Sequence, residues 1–174
     1  MKLIRQLKLV MAAILAAMFA FSGHADAITG TELCSYAPAE HVKSLLSNLP
    51  VDTETSGPQA DEDRLDGIST ACQFTAGGRA VVLYLVEFKT IDAAKDNVQR
   101  EFKAAAKDKS ASVNAMPPTG LGDEAYQASG PDALMYIARK GTRVFATGVI
   151  GASISAPQMQ SHLLEIAKSV GAHL

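Results

Sequence analysis

Residues 79–88 read RAVVLYLVEF, with Val, Leu, Tyr and Phe distributed over both alternating sides of the segment. A strand with one wet face is apolar only at every second position. A strand that is apolar on both sides belongs inside a sheet that is covered above and below. This segment therefore demands partner strands for its backbone and an apolar layer on each side, and the rest of the chain must supply them.

The neighbouring sequence offers candidates. Residues 68–75 (ISTACQFT) alternate, with Ile68, Thr70, Cys72 and Phe74 on one side, and a turn at Ala76-Gly77-Gly78 leads into the central strand. Thr90-Ile91-Asp92 caps a helix expected over 93–109, with Ala94, Val98, Phe102 and Ala105 as its buried stripe. Residues 124–128, 133–140 and 142–152 read as three further strands, with a tight turn at Lys140-Gly141. Ser155 and Pro157 open a last helix striped by Met159, Leu163, Ile166 and Val170. Near the start, Pro38 and Glu40 begin a helix with Val42, Leu45, Leu46 and Leu49 on one face, and Pro50 stops it. Residues 51–57 read as a short exposed strand, followed by a polar loop. Strands in blocks joined by short turns predict an α+β domain, with a mainly antiparallel sheet of about six strands and helices packed on it. The expected order is α-βββ-α-βββ-α.

The first 27 residues are expected to be a cleaved secretory signal. Lys2, Arg5 and Lys8 precede an apolar run over 9–21, and Ala25-Asp26-Ala27 supplies an A-x-A cleavage site. The run is shorter than the roughly 20 residues that span a bilayer. A single domain over 28–174 remains, 147 of the 174 residues. Without Lys2, Arg5, Lys8 and Asp26, thirteen basic face seventeen acidic residues. A surface of that balance does not attract nucleic acid or anionic lipid in bulk. No second long apolar run follows, so no membrane-spanning segment is expected after cleavage. The expected location is periplasmic or extracellular, by the general secretory route. Cys34 and Cys72 are the only cysteines, and in an oxidising compartment they are expected to bridge. Closing a loop of that length stabilises by roughly 4 kcal/mol in the chain-entropy description. The alternative, a redox pair, lacks a C-x-x-C spacing.

Motifs for chemistry are sparse. Gly120-Leu121-Gly122 precedes a strand, whereas a dinucleotide loop follows a strand and opens a helix. Gly120, Gly122 and Asp123 are therefore expected to shape a turn. Asp61, Asp63 and Asp66 begin like a calcium loop but lack the Gly and Glu that complete one, so a solvated loop or a weak cation site are both left open. His41, His162 and His173 lie far apart with no zinc spacing. Gly151-Ala152-Ser153-Ile154-Ser155 lacks the closing Gly of a nucleophile elbow. Glu87 and Asp123 would act as paired carboxylates only if the fold joined them. No catalytic residue, cofactor or metal ligand is assigned. Arg139, Lys140 and Arg143 gather at a hairpin tip and form a candidate docking site for an anionic partner, or a charged guard on a solvated turn.

Several segments together resemble a known group. They are Cys34 ahead of Pro38 and Glu40, then Cys72-Gln73-Phe74, then PTGLGDEAY over 118–126, then IARKGTRVF over 137–145. This pattern is similar to small exported bacterial proteins and lipoproteins of unknown function with a PsbP-like α/β/α sandwich. The resemblance implies a curved antiparallel sheet between helices and a helix-to-strand disulfide. It brings no catalytic residues, and the lipidated cysteine of the lipoprotein members is missing. The function expected is a non-enzymatic binding or accessory module with a protein or cell-envelope partner. A small-ligand carrier with a pocket between sheet and helix, or an immunity-type protein, are the alternatives, and an enzyme ranks behind them.

Overall fold

A computed structural model describes residues 27–60, 67–107, 111–117, 120–151 and 157–174. All but the last residue of the expected signal segment lie outside the described residues, as do Asp61, Asp63 and Asp66. Among the described residues the elements run α1 (Gly30–Ser35), α2 (Ala39–Leu45), β1 (Asp52–Ala60), β2 (Gly67–Ala76), β3 (Arg79–Phe88) and α3 (Ile91–Ala106). They continue with β4 (Ser112–Met116), β5 (Glu124–Gly130), β6 (Ala133–Lys140), β7 (Arg143–Ile150) and α4 (Pro157–His173).

The strands form one open sheet in the order β1-β2-β3-β7-β6-β5-β4. Every neighbouring pair is antiparallel. Two meanders, β1 to β3 and β4 to β7, meet where β3 pairs with β7. Strand β3 is interior to the sheet and covered on both sides, as its composition demanded.

Register decides what each side carries. Cys72 stands opposite Leu83, Leu83 opposite Thr147, and Thr147 opposite Tyr136, so these side chains share one face. There Val81, Leu83, Leu85, Leu134, Phe145 and Val149 join Leu33, Leu45, Leu163, Ile166 and Val170 in the main core. Helix α1 lies on β1 and β2, α4 on β6 and β7, and α2 on α4. The helical positions are those of the apolar stripes, because residues three and four apart fall on one side of a helix. The opposite face carries a smaller cluster, in which Val86, Phe88 and Val144 meet Ala94 and Val98 of α3. Phe102 of α3 tilts against Tyr126 with ring centroids 4.6 Å apart. Thr90 caps α3 as expected, its hydroxyl accepting from the Ala93 N–H at 3.1 Å.

The expected disulfide is present. Cys34 on α1 and Cys72 on β2 are bonded, with Cα atoms 5.3 Å apart. Gly30 lets α1 lie close enough for that bond, since a Cβ there would stand 2.7 Å from Thr55 Cβ.

Three expectations need correction. The sheet has seven strands rather than about six. The added strand, β4, is a short edge in which only Val113 and Met116 are apolar and half-buried. The helix expected from Pro38 to Leu49 is the short α2, which ends at Leu45, and a further short helix, α1, precedes it. Ser47 and Asn48 take positive φ of 60° and 56°, which ends α2 before Pro50 does and leaves Leu49 45% exposed. Finally, α3 ends at Ala106, short of the expected 109.

Candidate functional site

The hairpin cations are placed first. Arg139 is only 6% exposed. Its Nε meets Glu124 Oε1 at 2.5 Å, and its Nη1 donates to Asp123 Oδ2 at 2.7 Å and to Gly141 O at 3.0 Å. Lys140 Nζ donates to Gly171 O at 2.9 Å, and Arg143 Nη1 to Leu174 O at the same distance. All three cations of the tip thus have internal partners, and two of them hold the end of α4.

Asp123 caps the β6–β7 turn rather than its own. Its Oδ2 accepts from the Gly141 N–H at 2.9 Å, and its own N–H donates to Arg139 O at 2.7 Å. The Gly141 hydrogen bond, and after it the Arg139 charge, hold the Asp123 carboxyl below its ordinary range. Gly122 has a φ of 144°, and any Cβ there would run into Arg139 O. The expected turn glycine is therefore required by the close approach of β6.

Glu87 and Asp123 are each held by a different arginine. Arg143 Nε stands 3.2 Å from Glu87 Oε1, which makes no hydrogen bond among the described residues. The contact is an ionic one whose angle is poor. On the same side of the sheet, Tyr36 stacks on His173 with centroids 4.6 Å apart, and Ser169 Oγ donates to Tyr36 O at 2.7 Å. Burial first, and then the Glu32 carboxylate that accepts its hydroxyl, push the Tyr36 phenol up. This group ties the chain end to α1 and β7.

Two arrangements could act on other molecules. The first is a groove of about 290 Å³ between α2 and the β1 end of the sheet. Its walls include Ala39, Val42, Lys43, Val51, Thr53 and Phe74. Thr53 and Phe74 are cross-strand partners, so the groove opens directly onto β1. Strand β1 ends the sheet order, so among the described residues one side of its backbone has no strand partner. Along it, Asp52, Thr53, Glu54 and Thr55 are exposed. A bulge between Ser56 and Gln59 breaks the ladder beyond them.

The second is a histidine pair. His41 Nδ1 and His162 Nδ1 lie 2.9 Å apart, joining α2 to α4 across 121 residues of sequence. Sequence spacing concealed it. The available signal was that each histidine immediately precedes a core residue, Val42 or Leu163, and so borders a helix–helix seam. Among the described residues no three His, Cys, Asp or Glu gather closely enough to hold a metal, and no helix is long and apolar enough to cross a membrane.

No protein-family model matches this chain, and no curated protein sequence does.

Proposed function

We propose that this chain is an exported, non-enzymatic binding or accessory module of the bacterial cell envelope, and that it takes an extended segment of a partner protein along β1. The observation that carries this reading is the coincidence of a strand edge, unpaired among the described residues, with an apolar groove beside it. An added strand would take its affinity from main-chain hydrogen bonds to β1 and its selectivity from one side chain entering the groove. Lys43 at the rim favours a segment with an acidic residue next to its apolar anchor. The disulfide supports an oxidising compartment, and the apolar run with its A-x-A site supports export. The resemblance to PsbP-like exported proteins points the same way. The groove is at the lower limit of ordinary small-ligand sites, which favours a side chain over a metabolite as its occupant.

A photo-crosslinking amino acid at Thr53, in cells expressing the full chain, tests this. It should trap one species of defined mass, and the adduct should disappear with Val42→Asp. The same probe at Lys103, on the exposed side of α3, should trap nothing comparable. Equal trapping at both positions, or an adduct indifferent to Val42→Asp, removes the β1 edge as the docking site.

A further inference from the structure

The histidine pair goes beyond that reading. We propose that His41 and His162 form a two-histidine site for a borderline divalent transition ion, Cu²⁺ before Ni²⁺ or Zn²⁺, which clamps α2 to α4. The spacing carries the argument. Two imidazole nitrogens bound to one ion at about 2.0–2.1 Å and at right angles stand about 2.9 Å apart, whereas tetrahedral ligands stand about 3.3 Å apart. The Nδ1 atoms are 2.9 Å apart, with the rings tilted 45° to one another. That distance, which an N–H···N hydrogen bond between the rings also gives, fits the cis relation of a tetragonal sphere, the geometry of Cu²⁺ and Ni²⁺, and the stability order of divalent ions puts Cu²⁺ highest.

Without metal the contact requires one ring to donate its Nδ1–H to the other. A metal ion takes both Nδ1 lone pairs, so the donating ring shifts its proton from Nδ1 to Nε2, with no net proton released. The rings are held in place by their helices, since neighbouring Val42 and Leu163 are buried in the main core. Both histidines are half-buried, leaving room for water to complete the coordination sphere. Glu165, one turn after His162, is held by Lys168 at 2.8 Å. It therefore supports the site by charge rather than as a ligand.

The test uses protein purified from cells expressing the full chain and stripped with a chelator. Titration with CuCl₂ should show one equivalent bound through two nitrogens by electron paramagnetic resonance. At about 100 times the dissociation constant the melting temperature should rise by about 5–10 °C. NiCl₂ and ZnCl₂ should bind more weakly, in that order of interest. Loss of an outer-shell partner commonly weakens a metal site about tenfold, so His41→Gln and His162→Gln, each removing a ligand, should weaken binding by at least that factor. His173→Gln should change nothing. Unaltered Cu²⁺ affinity in the His41→Gln/His162→Gln double variant overturns the site. So does a wild-type spectrum showing one nitrogen or none, a readout that needs no variant to fold.

Discussion

On one face of the sheet, α1, α2 and α4 close over Leu83, Leu134, Phe145 and their neighbours, and a disulfide ties the layer to β2. On the other, α3 is the one helix among the described residues that covers Val86, Phe88 and Val144, and β5 and β6 place the Arg139–Glu124 pair on that same face. The first face is held by apolar area, which is non-directional and scales with what is removed from water. The second has little such area, and it relies on directional contacts: a buried guanidinium with two carboxylates, a capped helix and one aromatic pair. The layer that presents both candidate sites is the heavily packed one. A groove wall or a metal clamp needs rigid backbone behind it, and the main core provides that for α2.

Three measurements of unfolding free energy would break or sharpen this contrast. The largest effect is expected in the main core. Leu83→Ala should cost about 2–5 kcal/mol, the range for truncating a buried leucine. Val98→Ala on the α3 side should cost about 1–2 kcal/mol, near the transfer value of two methyl groups. Equal losses would mean that the two layers are equally packed. Next is the ionic cluster. Arg139→Met should cost roughly 2–3 kcal/mol, because it leaves Glu124 partly buried beside Tyr126 without its cation. Adding Glu124→Leu should recover most of that loss. A silent Arg139→Met would show that the α3 face does not depend on the pair.

The smallest effect concerns pH. The folded Asp123 carboxyl titrates below its unfolded value, chiefly because it accepts the Gly141 N–H. Its contribution is therefore complete above the unfolded pKa of about 4 and fades as the pH falls through the lower folded value. The side chain is half exposed, so the effect should stay below about 1 kcal/mol. Asp123→Asn should narrow its gap to the unaltered protein below about pH 4 and keep a constant gap between pH 5 and 8. A gap that widens in acid would contradict the assignment.

Much of the architecture was legible along the chain. The two-sided apolar pattern of residues 79–88 marked an interior strand, and the stripes of α3 and α4 identified the sides they bury. Strand β4 was not legible, because an exposed edge needs no alternation and Ser112, Asn114 and Ala115 are poor strand formers. The early end of α2 was hidden for a related reason. Leu49 continues the helical spacing, but the left-handed backbone at Ser47 and Asn48 turns it out to solvent. Arg139 illustrates the limit for charges. As a residue of a hairpin tip it looked available to a partner, yet Glu124 stands opposite it on β5, Asp123 just ahead of that strand also pairs with it, and the two enclose it.

Local pattern determined which segments become helix or strand, which sides are apolar, and that two cysteines have only each other to pair with, because these follow from spacing along the chain. Only the tertiary structure decided that His41 meets His162, that Phe74 lines a groove beside the β1 edge, and that Arg139 is enclosed. Those contacts join residues brought together by sheet order and helix packing, and one-dimensional spacing carries no record of either.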